Sequence, residues 1–186
     1  MIGYAFCGSF CTLSASIVAL RILAAECPDI QPIFSEAVAT TDTRFYMAAD
    51  FCAEVEEICR RRAIRTVAEA EPLGPRTPLD FLIVAPCTGN TLAKLACGIT
   101  DTAVTMAVKA HLRTDRPLLL ALASNDALTA NLPNLGRLAV RRSVYLVPMK
   151  QDDPHGKPGS LVADFARLPE AYRAAREGRQ LRPMFL

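Results

Sequence analysis

Small hydroxyl and amide side chains cluster directly after four apolar segments of this 186-residue chain. The clusters are Gly8-Ser9, Ser35, Pro86-Cys87-Thr88-Gly89-Asn90-Thr91 and Ser124-Asn125-Asp126. Glycine lets a backbone approach a ligand closely, and serine or threonine at a helix start leaves N–H groups and hydroxyls that suit a phosphate. Each cluster alone is also typical of an ordinary helix cap or turn. Four clusters at one edge of a sheet favour a site for a phosphorylated ligand.

The glycine spacing narrows the kind of nucleotide that such a site would take. The Gly-x-Gly-x-x-Gly pattern of dinucleotide-binding folds does not occur in the chain, and neither does the lysine pattern of the P-loop. A mononucleotide therefore fits the sequence better than a dinucleotide.

Alternating strand and helix patterns supply the frame for these clusters. Apolar runs predict strands over residues 2–7, 30–34, 81–85, 118–123 and 144–147. Helical periodicity predicts helices over residues 13–25, 43–62, 91–97, 103–111, 134–140 and 161–176. The alternation is typical of an α/β, three-layer αβα, Rossmann-like fold, with a parallel sheet covered by helices on both faces and a single domain over residues 1–186. Ligands bind such sheets outside the carboxyl ends of the strands, where the four clusters lie.

Loops are predicted where proline, glycine and polar residues accumulate. Residues 69–78 and 151–159 have this composition. Ser9 and Thr12 are candidate caps of the first helix, and Asp101 is a candidate cap of the helix that follows it. The apolar tail, residues 181–186, is expected to dock on its own body or on a neighbour.

Charge and hydropathy exclude several classes of function. The formal net charge is only +2, from 21 basic and 19 acidic residues, so no strong attraction to nucleic acid is expected. The chain contains no run of 18 apolar residues, which predicts no membrane span. The first residues lack the features of a signal peptide, so a cytoplasmic location is predicted.

Seven cysteines are present, an odd number without any Cys-x-x-Cys pair. In a cytosolic protein they are expected to be reduced thiols that pack as small apolar residues. Cys7 and Cys11 lie four residues apart, but no histidine is nearby in the sequence. We therefore expect no metal site.

Two charged residues near the clusters have competing interpretations. Arg44 could pair with a substrate carboxylate or form a salt bridge with Asp42, and the sequence leaves both open. Lys94 could neutralise a phosphate, but a lysine on a helix surface is the more common case.

The polar loop over residues 151–159 also carries groups that could do chemistry. Asp152 and Asp153 are more typical of solvated charges than of a cation site. His155 could act as a general acid or base, although a histidine in an exposed loop is usually only solvated.

A longer segment carries a family resemblance. Residues 85–101 combine Ala-Pro, small residues, Asn-Thr, Ala-Lys and a closing Gly and Asp. This pattern resembles the central motif of the FMN-binding flavoprotein family, which includes cysteine decarboxylases and prenyl-flavin enzymes. Gly8-Ser9 looks like the first phosphate loop of that family.

Five further motifs resemble a narrower branch of the family, the B subunits of dipicolinate synthase. They occupy residues 40–45, 69–75, 124–128, 151–154 and 177–183. Because they occur in order from near the first loop to the C-terminus, the resemblance covers nearly the whole chain.

The resemblance implies an FMN site at the subunit interfaces of a homo-oligomer. By position, Gly8, Ser9 and Ser35 would approach the phosphate and ribityl chain, and residues 88–91 would add donors. Ser124 and Asn125 would flank the flavin or the substrate, with Arg44 and Asn125 as substrate-binding residues. The branch further implies an A subunit with an NAD(P)-binding domain, with which the chain would oxidise a small dicarboxylate, a dihydrodipicolinate-type precursor, during sporulation.

The chain departs from the decarboxylase members of the family at two places. It has Ala121-Leu122-Ala123-Ser124-Asn125 where those enzymes resemble one another in a Pro-Ala-Met-Asn segment. Its histidines are His111 and His155, and neither matches their catalytic histidine. No catalytic residue is assigned. A non-catalytic partner of the A subunit with a vestigial pocket, or a stand-alone FMN-dependent decarboxylase-like enzyme, stays open as an alternative.

Overall fold

The computed structural model of the protein describes residues 1–74 and 76–186. Its strands are β1 (Ile2–Phe6), β2 (Ile30–Phe34), β3 (Phe81–Cys87), β4 (Leu118–Ser124), β5 (Val144–Leu146), β6 (Met149–Lys150) and β7 (Leu161–Ala163). Its helices are α1 (Leu13–Glu26), α2 (Glu36–Thr40), α3 (Ala48–Cys59), α4 (Val67–Ala70), α5 (Gly89–Cys97), α6 (Ala103–Leu112), α7 (Leu132–Ala139) and α8 (Leu168–Arg176). Three 3₁₀ turns cover Phe10–Thr12, Glu71–Leu73 and Phe165–Arg167.

The predicted three-layer αβα, Rossmann-like fold is confirmed. Strands β2, β1, β3, β4 and β5 lie side by side in that order and pair in parallel. A short antiparallel hairpin of β6 and β7 extends this sheet, with β7 pairing to the end of β4 at Ala123 and Ser124. Strand β4 therefore contacts β5 with its first half and β7 with its second half.

Helices cover both faces of the sheet. Helices α1, α3 and α8 bury one face through residues such as Leu20, Phe51 and Tyr172. Helices α5, α6 and α7 bury the other through residues such as Leu92 and Val104. Residues of β1 to β4 are almost all buried on both sides, which explains why they are continuous apolar runs in the sequence.

The predicted helix over residues 43–62 is too long at both ends, because α3 covers only Ala48–Cys59 and Arg60 has a left-handed backbone conformation. Helix α3 begins at Ala48, and the Thr43 hydroxyl instead accepts the N–H groups of Phe45 and Tyr46 in a turn. Phe45, expected on the buried face of that helix, is 45% exposed. Such local side-chain bonds compete with helix formation. The short helix α2, which Ser35 caps by accepting the Val38 N–H, was not predicted.

The predicted loop over residues 69–78 contains helical structure. Thr66 and Glu69 form a capping box that starts α4, and a 3₁₀ turn follows over Glu71–Leu73 with its proline in the first turn. A proline there removes an N–H that would be unpaired anyway. Pro75, within this predicted loop, lies outside the described residues.

The predicted last helix, over residues 161–176, is also wrong at its start. Residues Leu161–Ala163 form strand β7, and the helix α8 begins only at Leu168, with Pro169 in its first turn. Pairing with β4 fixes the strand, and this long-range contact overrides the local helical pattern.

Smaller expectations at strand and helix ends are corrected as well. Strand β3 does not stop at Pro86 but reaches Cys87, with a shift of register against β4. The hydroxyls of Ser9 and Thr12 make no cap hydrogen bond, and Thr102 rather than Asp101 caps α6. The loop over residues 151–159 is present as predicted. The tail docks on the body, because Met184 and Leu186 exchange backbone hydrogen bonds with Met149.

Candidate functional site

A large pocket opens outside the carboxyl ends of β1, β3 and β4. Its volume is about 930 Å³, close to the upper end of the range of about 300–1,000 Å³ that is usual for ligand sites. It is hereafter called the strand-end pocket, and its lining consists of residues 8–12, Arg44, Phe45, residues 88–90, residues 123–126, Asp152, residues 157–160 and Val162.

The first loop forms one wall of the strand-end pocket. Strand β1 ends at Phe6, and the chain turns through Gly8 and Ser9 into the 3₁₀ turn that leads into α1. The Ser9 side chain does not cap this turn, and its hydroxyl is thus available to a ligand. Phe10, partly buried beside it, adds an apolar surface.

The loop after β3 places the start of α5 at the pocket. The Thr88 hydroxyl accepts the Thr91 N–H at 3.2 Å and caps the helix. Thr91 points inward, with its hydroxyl 3.3 Å from the Cys7 sulfur. Asn90 is exposed and lines the pocket. The hydrogen bonds of Thr88 and Thr91 therefore fix the conformation of this loop, and the Asn90 amide remains available to a ligand.

A carboxylate fixes the loop after β4 against the start of α5. Asp126 accepts hydrogen bonds from the Ser124 hydroxyl and from the Asn131 amide, which lies 2.9 Å from both carboxylate oxygens. The hydrogen bond from Ser124 is the largest cause, and that from Asn131 the next, of a lowered pKa of Asp126, so the carboxylate stays ionised. Gly89 packs directly on this cluster, since a Cβ there would overlap Ser124 Oγ and lie 2.7 Å from Asn131 Nδ2.

Two cationic side chains come to the pocket from opposite loops. The Arg44 guanidinium lies 4.8 Å from the centre of the Phe45 ring. Asp42, its candidate salt-bridge partner, instead accepts the Ala48 N–H at 2.9 Å. Lys157, in the loop between β6 and β7, pairs with Asp152 at 3.0 Å, and that hydrogen bond raises the pKa of the lysine.

The comparisons with known proteins agree with this geometry. A family model described as Flavoprotein matches residues 6–156. The chain belongs to the flavoprotein family. It is 39% identical over 185 residues to the dipicolinate synthase B subunit of Bacillus subtilis (strain 168), and the match covers 100% of this chain and 92% of that protein.

Solved structures of related proteins have the same fold as this chain. The crystal structure of the dipicolinate synthase B subunit from Bacillus halodurans is similar with a TM-score of 0.91 and 36% identity, over 100% of this chain and 95% of that one. An FMN-dependent cysteine decarboxylase shares the fold with a TM-score of 0.67 at 19% identity, over 95% of each chain. The resemblance to the flavoprotein family is confirmed.

The structure brings together most of the residues that the sequence singled out in this flavoprotein. Eight of the ten line the strand-end pocket: Gly8, Ser9, Arg44, Thr88, Gly89, Asn90, Ser124 and Asn125. Thr91 lies behind the lining, bonded to Cys7, and the Ser35 hydroxyl caps α2. Their roles in cofactor binding stay predictions.

Other pocket residues were missed because they act through tertiary structure. Phe10, Phe45 and Lys157 line the pocket without having been assigned to it, and Asp126 was named only as a member of the loop after β4. A signal existed for both polar residues, because Asp126 lies within the motif over residues 124–128 and Lys157 lies within the predicted loop over residues 151–159. For Phe45, the assignment to a buried helix face concealed its exposure.

Of the remaining candidates, Asp152 lines the strand-end pocket, whereas Lys94, Asp153, His111 and His155 are outside its lining. Lys94 pairs with Asp101 at 2.8 Å on the helix surface. Asp153 accepts the Gly156 N–H at 2.8 Å in its own loop. His111 is buried, with Nε2 2.9 Å from the Pro117 carbonyl oxygen, and His155 is exposed in the loop.

The cysteines are free thiols, as predicted. Burial raises the pKa of Cys7 to about 11 and that of Cys87 well above its usual value, so both stay protonated. Across residues 1–74 and 76–186, no three His, Cys, Asp or Glu side chains come together in a way that would hold a metal ion. Over the same residues, no helix is both long and apolar enough to cross a bilayer.

Proposed function

We propose that this chain is the FMN-binding B subunit of a dipicolinate synthase. Together with an A subunit, it would oxidise a dihydrodipicolinate-type precursor to dipicolinate in the cytoplasm of a sporulating cell. The observation that carries this proposal is the strand-end pocket, lined by the loops that the sequence motifs mark, in a chain similar to a dipicolinate synthase B subunit over its full length.

The donors around the pocket fit a phosphorylated mononucleotide. Its lining includes a serine hydroxyl (Ser9), two side-chain amides (Asn90 and Asn125) and two cationic residues (Arg44 and Lys157). Hydroxyl, amide and cationic donors are the groups that bind phosphate and ribityl oxygens. Phe10, Phe45, Ala123 and Val162 supply apolar surface suited to a planar ring. Gly8 and Ser9 would hold the phosphate, with Asn90 beside the ribityl chain.

The same pocket offers groups for a dicarboxylate substrate. Arg44 is exposed and has a planar fork of donors that matches a carboxylate. Asn125 is exposed on the neighbouring loop and would bind the substrate through its amide. The Asp126 carboxylate also lines the pocket, and the hydrogen bonds that it accepts from Ser124 and Asn131 offset part of its repulsion of an anionic substrate.

Bound FMN would supply hydride transfer between the substrate and the nicotinamide held by the A subunit. The chain's own residues would bind and orient both molecules. We further propose that the chain forms a homo-oligomer, whose neighbouring copy closes the exposed side of the pocket.

A second candidate function is a non-catalytic partner that stabilises the A subunit. It is favoured by the positions of the histidines, because neither His111 nor His155 is among the residues that line the pocket. The same observation counts against a stand-alone decarboxylase of the histidine-dependent kind.

The visible spectrum of the purified chain, alone and after mixing with FMN, tests the proposal. We expect bound flavin, and we expect Ser9→Ala and Asn90→Ala to weaken it because each removes a donor. Val18→Ala, on the exposed face of α1, is the matched control. Absence of binding near millimolar FMN, together with dipicolinate formation by the mixed subunits, would favour the non-catalytic partner. Loss of both would refute the assignment to dipicolinate synthase.

A further inference from the structure

A second concave surface lies on the α5–α6–α7 layer, at the far end of α5 from the strand-end pocket. Its volume is about 250 Å³, below the range of about 300–1,000 Å³ typical of small-molecule sites. Hereafter called the basic pocket, it is lined by Leu95, residues 98–100, Thr105, Val108, Lys109, Leu112, Arg113 and Arg141. A space of this size suits one anchoring side chain better than a cofactor.

The floor and one rim of the basic pocket are apolar. Leu95 and Val108 are buried beneath it, while Ile99 is 46% exposed at its edge. Val140, which precedes Arg141 in the chain, is 83% exposed. The buried floor and the half-exposed Ile99 together form an apolar cavity that could receive one apolar side chain of another protein.

The rim of the basic pocket carries positive charges that lack acidic partners among the described residues. Lys109, Arg113 and Arg141 are all exposed, and the lining contains no carboxylate. In the described residues, 1–74 and 76–186, none of the three takes part in an ion pair, whereas Lys94 on the same layer is paired with Asp101. Three free cations around an apolar hole are complementary to an acidic segment with an apolar anchor.

The chain's own acidic helix is a poor source of that segment. On α3, Glu54 is paired with Arg21 and Glu56 with Arg65. The other two carboxylates of α3, Asp50 and Glu57, are outside the ion pairs of the described residues. The large apolar side chains between them, Phe51 and Val55, are buried, so α3 offers no apolar anchor for the basic pocket. A different protein is therefore the better match.

We propose that the basic pocket docks an acidic segment of the A subunit, which inserts one aliphatic or aromatic side chain between Ile99 and Leu112. Carboxylates on either side of that anchor pair with Lys109, Arg113 and Arg141. Naming the A subunit rests on the proposed function. The docked segment does not cover the strand-end pocket, because the two pockets lie at opposite ends of α5.

Calorimetric titration of the full chain with the purified A subunit tests the docking surface. We expect Ile99→Asp and Arg113→Glu each to raise Kd at least about tenfold, as expected for an anchor contact and a facing charge. Arg62→Glu, a charge reversal at another exposed arginine, which follows α3 in the opposite layer, should leave Kd unchanged. Raising the salt from about 50 to about 300 mM should weaken the wild-type complex more than the Arg113→Glu complex.

Several results would overturn the docking surface. One is a Kd within twofold of wild type for both variants, and another is the absence of a complex with the wild-type chain. A third is a change in the oligomeric state of the chain alone on Arg113→Glu substitution, which would identify the occupant as a second copy. The proposed function is tested independently of the docking surface, by the flavin spectrum of the chain and by dipicolinate formation by the mixed subunits. A complex that is sensitive to both variants but makes no dipicolinate would refute the function and leave the docking surface standing.

Discussion

Replacing Gly89 by alanine is expected to damage the fold and the strand-end pocket together. The new Cβ would overlap Ser124 Oγ and lie 2.7 Å from both Asn131 Nδ2 and Asp126 Oδ1. Carbon atoms normally approach other heavy atoms to about 3.5–4.0 Å. The polar cluster must therefore move by about an ångström or lose its hydrogen bonds to Asp126.

The size of the effect follows from those contacts. Overpacking costs about 1–3 kcal/mol, and a lost hydrogen bond to a charged group costs about 1.5–3 kcal/mol. We expect a net destabilisation of about 2–4 kcal/mol, since part of the strain is relieved when the bonds break. In a chain of this length the melting temperature would fall by about 5–15 °C.

Gly136→Ala is the matched control for this prediction. Gly136 lies inside α7, and a Cβ there meets nothing within 4 Å. Alanine should be neutral or stabilise the helix by up to about 1 kcal/mol. Urea unfolding measures both variants, and FMN titration measures the pocket, where only Gly89→Ala should bind less.

A rescue variant tests the cause of the damage. Adding Ser124→Ala to Gly89→Ala removes the closest overlap and should recover part of the lost stability. The reasoning is refuted if Gly89→Ala unfolds within about 0.5 kcal/mol of wild type, the usual range for a neutral surface change.

Three further outcomes are expected. Burial lowers the pKa of His111, so the folded protein favours the neutral ring. The stability that the neutral ring contributes is fully present above the unfolded pKa of about 6.5 and is lost as the pH falls below it. Urea unfolding between about pH 7.5 and 5 should show a shallower decline for His111→Gln than for wild type, and equal slopes would contradict this. Thr102→Ala should cost about 1 kcal/mol in the same assay, because the Thr102 hydroxyl accepts the Thr105 N–H at 3.1 Å, and an unchanged unfolding midpoint would argue against the cap. A thiol reagent should modify the exposed Cys11 and Cys97 first, and FMN should slow only Cys11, which lines the strand-end pocket; equal protection of both would place the flavin elsewhere.

The sequence predicted the parallel strands well because burial on both faces leaves them as uninterrupted apolar runs. Strands β1 to β5 were all expected near their observed bounds. The strand-end residues followed directly, since parallel strands bring their carboxyl ends to one edge. Gly8, Thr88 and Ser124 meet at the pocket for this reason.

Elements that depend on distant contacts could not be read from local patterns. Strand β7 has only three residues, and its pairing with Ala123 and Ser124 overrides a helical pattern in the sequence. Phe45 fitted a buried helix face, but the Thr43 turn leaves it at the pocket. The carboxylate of Asp126 becomes part of the site only because Asn131 and Gly89 fold against it.

The division of β4 between two neighbours separates the support of the parallel sheet from the support of the hairpin. Residues Leu118 to Leu120 hold the parallel sheet through β5, while Ala123 and Ser124 hold the hairpin through β7. The loop between Lys150 and Leu161 is therefore attached to the sheet through the last residues of β4, while the first residues of β4 pair with β5. Loops transplanted from related proteins could be inserted there to reshape the mouth of the pocket, and the five parallel strands would fold as before.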